Sequence, residues 1–471
     1  MITIIDKTLK QIGAALREGA LTAGELVEIA IDRHNVYGAE LNAYYAWEPE
    51  IARRQAQAAD LIFDIEGDLG PLQGILSSVK DHFGVSGFAS YAGTRQRLQV
   101  KWEQEGPVIA KLRRQLAVIT GKTIAVELAF GGIGLNNSWG SPCNPWDVEN
   151  HRVSGGSSSG AGVSLWEGSA LLAFGTDTGG SVRIPASMTG TVGLKTGFGR
   201  WSLEGIVPLS PTLDTAGILT RSVADSAYAF AALDPAWGSP AALEQSIGGL
   251  DPSAIRIGLG DTCMWDDCDP GIAEAVKTAL DELARRGVNI TEISLPEAGE
   301  AMDLLRSGSV VSAECDAFLE SEVPELRPHL DPIITSRIAD GGSIPAREFL
   351  LRQQWIRRLS QRAEEKLATV DVIAAPTVPI TPPRLAEVER IEDYRRLNML
   401  SLRNTCIGNF LQLCGLSMPV GLDQAGLPVG LQLLARHGHE ERLLAVGLTL
   451  ENILGTAYQR LGLPPLCSRR T

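Results

Sequence analysis

Two loops rich in glycine and serine contain the residues of this sequence that are best suited to chemistry. Residues 155–162 read GGSSSGAG and residues 175–185 read GTDTGGSVRIP. Glycine lets a backbone bring its N–H groups close to a ligand, and a serine hydroxyl acts as a nucleophile when a base takes its proton. The loops could be simple turns, a phosphate site or a site of nucleophilic catalysis. Two such runs in one chain, both rich in hydroxyls, make simple turns less favoured.

A phosphate-binding loop is the second interpretation, and the motifs that define one are incomplete. A Walker loop has the pattern Gly-x-x-x-x-Gly-Lys-Ser/Thr, and neither loop has the lysine in that place. Residues 121–123, GKT, have the end of the pattern but lack a glycine five residues before Gly121. A dinucleotide-binding fingerprint is also absent from the sequence.

Nucleophilic catalysis, the third interpretation, needs a serine and a base. Residues 156–160, GSSSG, match the Gly-x-Ser-x-Gly elbow of α/β-hydrolases, with Ser158 as the nucleophile. That motif is short, and it requires an aspartate and a histidine further along the chain. The later histidines are His329, His437 and His439, and the last two lie in what looks like an exposed turn. A lysine that burial keeps neutral can be the base instead.

Lys80 is the candidate for such a base. It lies near the end of residues 74–81, GILSSVKD, where a turn leads into a short apolar strand. The alternative is a lysine that extends its charged end to solvent, which is the commoner situation for this residue type. The flanking residues do not decide between the two.

The elements that must position these residues alternate between helices and short strands. Residues 1–65 are predicted to be a helical N-terminal segment, in which Thr22 and Glu25 form a capping-box pattern. The next predicted elements are strands over 118–121 and 171–175 and helices over 108–116 and 161–167. This alternation favours an α/β sheet covered on both faces.

The second half of the chain continues the same alternation. A connection rich in Gly, Pro and Ser is predicted over 235–252, and residues 301–367 form a mostly helical outer layer or cap. The other predicted elements are strands over 255–260, 370–376 and 426–434 and helices over 272–286 and 440–453. Because the sequence has no repeats and no long linker, we predict a single domain over residues 1–471.

Composition limits the classes of function. The chain has 471 residues, of which 44% are apolar and 21% charged, and a formal net charge of −14, which argues against nucleic acid as the main partner. No apolar run approaches the roughly 18 residues of a membrane span, and the first residues lack the pattern of a signal peptide. Seven scattered cysteines suggest reduced thiols in the cytoplasm, and Cys263 and Cys268 lack the partners that a zinc site needs.

With these motifs in order, the sequence resembles the amidase signature family from about Leu9 to Leu454. Ser181 follows Ser157 by 24 residues, as expected for the two catalytic serines of that family. The matching segments are 74–81, 155–160, 175–185, 193–196 (GLKT), 208–217 (PLSPTLDTAG) and 426–432 (GLPVGLQ). Ile75-Leu76 stands where the family often has Ile-Pro, and residues 159–161 replace the commoner Gly-Gly-Ser. Neither departure affects a residue that carries chemistry.

The resemblance implies an α/β fold whose mixed β-sheet core is sandwiched between helical layers, and a Ser-Ser-Lys triad. Ser181 is the expected nucleophile, and Ser157 is expected to bridge it to Lys80, the base. The family holds the bridging serine after a cis peptide bond, here Gly156-Ser157. Lys80 must be neutral to accept a proton, so burial must lower its pKa strongly.

The other site residues are also implied by the resemblance. The expected oxyanion hole consists of the backbone N–H groups of Thr178, Gly179, Gly180 and Ser181. Gly131 and Ser157 are expected to bind substrate, and Ser158, Asp177 and Arg183 to support the site. For Asp177 and Arg183 we favour a mutual ion pair or hydrogen bonds over substrate contact, because buried charges are normally paired.

The implied function is hydrolysis of a small carboxylic amide to an acid and ammonia or an amine through an acyl-enzyme, without metal or cofactor. The alternative is the glutaminase (A) subunit of a tRNA-dependent amidotransferase, although residues 209–217 look more like the free amidases. A non-catalytic relative is disfavoured because all three triad residues are present. The expected partner is a small-molecule amide, with no nucleic acid and no membrane, and the expected assembly includes a possible homodimer.

Overall fold

One mixed β-sheet runs through the computed structural model, which describes residues 4–308, 310–341 and 344–468. Its eleven strands within those residues are β1 (Tyr44–Trp47), β2 (Leu76–Lys80), β3 (Val118–Thr123), β4 (Leu172–Asp177), β5 (Val192–Lys195), β6 (Thr215–Thr220), β7 (Arg256–Leu259), β8 (Asn289–Glu292), β9 (Val372–Pro376), β10 (Cys414–Leu422) and β11 (Pro428–Ala435). The order across the sheet is β1-β3-β2-β4-β6-β5-β10-β11-β9-β7-β8. The pairs β2–β3, β2–β4, β7–β8 and β7–β9 are parallel, and the others are antiparallel.

Helices surround this sheet. Within the described ranges they are α1 (Leu9–Arg17), α2 (Ala23–Leu41), α3 (Pro49–Asp64), α4 (Pro107–Arg114), α5 (Ser159–Glu167), α6 (Arg183–Thr189), α7 (Val223–Leu233), α8 (Pro240–Ile247), α9 (Ile272–Arg285), α10 (Pro296–Arg306), α11 (Val310–Glu322), α12 (Pro332–Ala339), α13 (Ala346–Leu367), α14 (Ile391–Leu402), α15 (Cys406–Phe410), α16 (Glu440–Leu454), α17 (Ala457–Leu461) and α18 (Pro465–Ser468). Where the whole described chain is considered, no helix is both long and apolar enough to cross a membrane.

Alternation along the strands shows that both faces of the sheet are covered. Successive side chains of a strand point to opposite faces. In β9, Val372 and Ala374 belong to a hydrophobic cluster with helices α9 and α16, whereas Ile373 and Ala375 belong to another with α10, α13 and α15. The predicted α/β fold, a mixed sheet between helical layers, is therefore confirmed.

Parallel pairing determines where the chemistry can lie. Strands β2, β3 and β4 are neighbours and mutually parallel, so their carboxyl ends meet at one edge of the sheet. Lys80 is the last residue of β2, and Asp177 is the last residue of β4. The loops that follow these strands therefore leave the sheet at the same edge, which brings Lys80 close to the second glycine-rich loop.

Two predicted segments differ from the structure in detail. The N-terminal 1–65 segment is not wholly helical, because β1 pairs antiparallel with β3 and extends the sheet by one strand. The predicted connection over 235–252 contains α8, whose first residue is Pro240 and whose N-terminus is capped by the Ser239 hydroxyl. Residues 301–367 contain most of α10 and all of α11, α12 and α13, while residues 1–3, 309, 342–343 and 469–471 lie outside the described residues.

Candidate active site

A cavity of about 270 Å³ lies beyond the carboxyl end of β4. The second glycine-rich loop contributes Thr178, Gly179 and Ser181 to its wall, and residues 129–131 contribute another part. Helices α10, α11, α12 and α14 complete the wall. The cavity is therefore bounded on one side by the loops of the sheet edge and on the other by helices that include those of the 301–367 segment.

Lys80 is completely buried behind this cavity. Its Nζ lies 2.8 Å from the Oγ of Ser157 and 2.6 Å from the Oγ1 of Thr176. Burial lowers the pKa of Lys80 to about 7, against the opposing effect of the negative charges of Asp214, Asp177 and Asp81. A large fraction of the Lys80 side chain is consequently neutral near pH 7, and a neutral amine can accept a proton.

Ser157 lies between Lys80 and the second glycine-rich loop. The peptide bond that precedes it, Gly156-Ser157, is cis. Its side chain is completely buried and is not part of the cavity wall. The expected substrate contact of Ser157 therefore has no support in its position, whereas Gly131, the other residue expected to bind substrate, does line the cavity.

Ser158, the candidate of the elbow motif, points away from the cavity. Its hydroxyl lies 3.4 Å from the carbonyl oxygen of Thr176 on β4, and its backbone N–H donates to the carbonyl oxygen of Ser181 at 3.3 Å. Ser158 therefore ties the two glycine-rich loops together. This geometry favours Ser181 over Ser158 as the residue that meets a ligand, because only Ser181 lines the cavity.

The loop that carries Ser181 is held by several hydrogen bonds. Gly180 N–H donates to the Asp177 carboxylate at 2.8 Å, and the Thr405 hydroxyl donates to the carbonyl oxygen of Gly179 at 2.6 Å. Gly180 was expected to belong to the oxyanion hole, but its N–H already has this partner, so the expected donors are reduced to Thr178, Gly179 and Ser181. No hydrogen bond joins the hydroxyls of Ser181 and Ser157 directly, so a relay requires them to come within about 2.6–3.2 Å in the substrate complex.

Asp177 and Arg183 form a buried ion pair beneath this loop. Arg183 Nη2 lies 2.9 Å and Nε 3.0 Å from the two oxygens of Asp177, and both side chains have no exposed surface. Asn409 and Gln432 hydrogen-bond to the remaining positions of the Arg183 guanidinium. Burial alone would raise the pKa of Asp177, but the Arg183 charge and hydrogen bonds bring it to about 2. The pair therefore fixes the Ser181 loop and does not contact the cavity.

Replacing Arg183 by methionine is expected to lower the free energy of unfolding by about 3–5 kcal/mol, because it leaves the Asp177 carboxylate buried without its cation. Urea unfolding followed by circular dichroism measures this change. The control is Arg327→Met, which removes the partner of Asp316 in a pair that is partly exposed to solvent; its cost should stay below about 1 kcal/mol. A loss below about 1 kcal/mol for Arg183→Met would show that the pair does not stabilise the loop.

Two residues of this site escaped the sequence-based prediction, although both lie in segments that resemble the family. Thr176 hydrogen-bonds to Lys80, and Asp214 accepts a hydrogen bond of 2.5 Å from the Thr178 hydroxyl. Burial raises the pKa of Asp214 to about 6, although hydrogen bonds from Thr178 and from two backbone N–H groups oppose this. Motif matching located these residues in the chain, but spacing alone does not indicate which threonine or aspartate faces the lysine.

The cysteines do not form a metal centre within the described ranges. All seven are free thiols, and Cys263 and Cys268 are only partly buried. Among the described residues, no group of three or more His, Cys, Asp and Glu side chains is arranged to hold a metal ion. The candidate chemistry therefore rests on the hydroxyls, the lysine and the backbone N–H groups at the sheet edge.

Comparisons with known proteins agree with this arrangement. The family model described as Amidase matches residues 25–444. The 2-amino-5-chloromuconic acid deaminase of Comamonas testosteroni is 46% identical over 460 residues, covering 98% of each chain. The glutaminase (A) component of the glutamyl-tRNA(Gln) amidotransferase of Geobacter sp. (strain M21) is 30% identical over 477 residues, covering 95% of this chain and 97% of the relative.

A solved structure described as an amidase superposes with a TM-score of 0.84 and 29% sequence identity, covering 95% of this chain and 100% of the other. The sequence relatives and the structural neighbour thus span nearly the whole chain, and they agree with the motifs at residues 74–81, 155–160 and 175–185. The chain therefore belongs to the amidase signature family and is an enzyme that hydrolyses carbon–nitrogen bonds.

Proposed function

We propose that this enzyme hydrolyses a small carboxylic amide to an acid and ammonia or an amine, through an acyl-enzyme on Ser181. The observation that carries the proposal is the position of Lys80. Its buried Nζ is hydrogen-bonded to Ser157, while Ser181, on the adjoining loop, lines the cavity. A serine, a bridging hydroxyl and a base of lowered pKa are the parts that nucleophilic catalysis without histidine requires.

In the first half of the reaction, the Ser181 oxygen attacks the amide carbonyl carbon. Ser157 takes the Ser181 proton and passes its own proton to neutral Lys80. The negative oxygen of the tetrahedral intermediate accepts hydrogen bonds from the N–H groups that face the cavity, for which we propose those of Thr178, Gly179 and Ser181. Each such donor typically contributes about 2.7–4 kcal/mol.

In the second half, the proton returns from Lys80 through Ser157 to the leaving nitrogen, the carbon–nitrogen bond breaks, and ammonia or an amine departs. Water then attacks the ester that joins the acyl group to Ser181. The same relay takes a proton from this water and returns one to the Ser181 oxygen, which releases the acid. Each proton that leaves Ser181 or water is thus returned within the cycle, and the enzyme is restored.

A second candidate reaction is hydrolytic deamination of an amino-substituted unsaturated acid. It is favoured by the 46% identity to the 2-amino-5-chloromuconic acid deaminase, which is well above the 30% identity to the amidotransferase component. The glutaminase alternative is less supported for the same reason. We measure ammonia released by the purified protein from hexanamide, from 2-amino-5-chloromuconic acid and from glutamine, the last with and without candidate partner proteins, and so separate the three activities.

The pH dependence of kcat/KM tests the proposed base. Because only neutral Lys80 accepts a proton, kcat/KM for a non-ionising amide should rise with pH along a limb centred near pH 7 and level off above it. The Asp214→Asn variant removes a negative charge that favours protonated Lys80, so its limb should move to lower pH. A limb that does not move in this variant, or a profile that is flat between about pH 5.5 and 8.5, contradicts the assignment.

The site of action and the assembly complete the proposal. A cytoplasmic location is supported by the seven free thiols, five of which are buried. The possible homodimer stays a prediction that sedimentation or light scattering can check.

A further inference from the structure

The cavity wall carries more positive than negative charge, although the protein as a whole is acidic. Three arginines, Arg306, Arg337 and Arg395, line the cavity, and Asp340 is the only carboxylate among its lining residues in the described part of the chain. The sequence as a whole has a net charge of −14. A local excess of positive charge in such a protein favours a ligand with a negative group.

Arg337 differs from the other two arginines in its partners. Arg395 pairs with Asp340 at 3.2 Å, and Arg306 pairs with Asp303 at 3.1 Å. Arg337 forms no ion pair with any carboxylate of the described residues. Its charge is therefore the one in this wall that the protein itself leaves without an opposite charge in direct contact.

The surroundings of Arg337 hold its guanidinium in place. It lies 4.1 Å from the centre of the Phe130 ring and donates a hydrogen bond to the carbonyl oxygen of Phe130. Phe130 precedes Gly131, and both line the cavity with Ser181. Burial lowers the pKa of Arg337 because it removes water from around the charged group. An ordered, desolvated guanidinium at a cavity wall is well suited to a carboxylate, which it can bind with two parallel hydrogen bonds.

A purely structural role for Arg337 is the competing explanation. Stacking on Phe130 and one hydrogen bond to a carbonyl oxygen occupy only part of a group that has five N–H donors. Burial of a charge without an opposite charge is costly, and a neutral side chain of similar shape could fill the same space without that cost. The unpaired charge therefore points to a ligand that supplies the negative partner.

We infer that the substrate carries a carboxylate group remote from the bond that is broken, and that Arg337 binds this carboxylate. This inference rests on the proposed hydrolysis of a carbon–nitrogen bond at Ser181 in the same cavity. Arg395, held by Asp340 and by the carbonyl oxygen of Ser336, adds positive charge on the same side. The substrate class is thus an acid amide whose two functional groups lie at opposite ends of a small molecule.

Matched pairs of amides test this inference. Adipamic acid and hexanamide have the same chain length and the same amide, and differ in having a carboxylate or a methyl group at the far end. Succinamic and glutaramic acids, compared with butanamide and pentanamide, vary the spacing between the two groups. For at least one pair, kcat/KM of the wild-type enzyme should be about 30-fold or more higher for the acid, the scale of a hydrogen bond to a charged group.

Variants identify the residue responsible. Arg337→Met should reduce the preference for the acid to about threefold or less. Arg358→Met, at an exposed arginine of α13 outside the cavity wall, is the control and should keep the preference. If Arg337→Met does not fold, as judged by circular dichroism, the comparison of substrate pairs on the wild-type enzyme still decides whether a carboxylate is recognised, and Arg337→Lys, which keeps the charge but lacks the planar fork, should show an intermediate preference.

Failure of the inference and failure of the proposed reaction give different results. If the wild-type enzyme hydrolyses the neutral amides as well as every acid, the proposed reaction stands and the carboxylate site is wrong. If none of the amides is hydrolysed, binding to the Ser181→Ala variant is measured by calorimetry. Tighter binding of an acid than of its neutral counterpart then supports the carboxylate site, while equal affinity or no binding overturns it.

Discussion

Replacing Lys80 by alanine is expected to lower kcat/KM by about four orders of magnitude or more, while the protein stays folded. The reason is that a serine hydroxyl is a weak nucleophile near neutral pH unless a base takes its proton. Lys80 is the titratable group hydrogen-bonded to Ser157, and burial lowers its pKa to about 7. Losses of this size are known for other catalytic triads when one member is removed. Steady-state kinetics with an amide substrate, together with circular dichroism of the variant, measure both parts of the expectation.

The Lys80→Arg variant separates a base from a structural cation. Arginine keeps the positive charge but does not lose its proton in proteins, so this variant should be nearly as inactive as Lys80→Ala. Lys122→Met provides a control for the loss of a buried lysine, because Lys122 is also completely buried but bonds to the Phe83 carbonyl oxygen and to Ser90. It should lower stability without removing turnover. Near-normal turnover of Lys80→Arg between pH 6 and 9 would mean that Lys80 is not the base.

Ser181 is expected to be the residue that a serine-directed fluorophosphonate modifies, and Ser181→Ala should lose both the modification and about five orders of magnitude of turnover. Among the serines of the two glycine-rich loops, Ser181 is the one that lines the cavity, whereas Ser157 and Ser158 are completely buried. Mass spectrometry of a digest after labelling locates the adduct. The expected result is a single adduct on the peptide that contains Ser181.

The Ser158→Ala variant provides the matched control for this labelling. Its hydroxyl faces the carbonyl oxygen of Thr176 on β4, so its removal should leave the adduct on Ser181. An adduct on Ser158 in the unmodified protein, lost in the Ser158→Ala variant, would support the elbow motif and refute the assignment of Ser181. Labelling of Ser157 would instead exchange the roles of the two proposed catalytic serines.

Much of the fold could be predicted from local patterns, because those patterns have direct physical causes. The strand that ends at Lys80 and the helices over residues 108–116 and 161–167 follow from runs of apolar residues. Strand β10 was not predicted, since it contains Pro419, which cannot donate a hydrogen bond to a neighbouring strand. The structure accommodates this proline because the β5 partner pairs only with residues 415–417, so no donor is required on that side.

The predicted site was most complete where chemistry is confined to short motifs. Lys80, Ser157 and Ser181 lie in such motifs, and their mutual arrangement remains a proposal that the mutants above test. Two adjacent glycines indicate that a backbone can approach a ligand, but they do not show that Asp177 occupies the N–H of Gly180. Arg337 is an isolated residue of a helix far along the chain, so no spacing rule connects it to Phe130 or to Ser181. Long-range contacts of this kind need the folded structure.

The cavity has two walls that come from different parts of the chain, and this division has a consequence for how the enzyme can be altered. The loops that carry Ser181 and Lys80 are fixed to the sheet by buried hydrogen bonds and by the ion pair of Asp177 with Arg183. The opposite wall comes from helices that include α10, α11 and α12. Exchange of those helices with the corresponding ones of a relative should therefore transfer substrate preference and leave the bond-breaking apparatus intact, which makes the helical wall the natural target for directed evolution of new specificities.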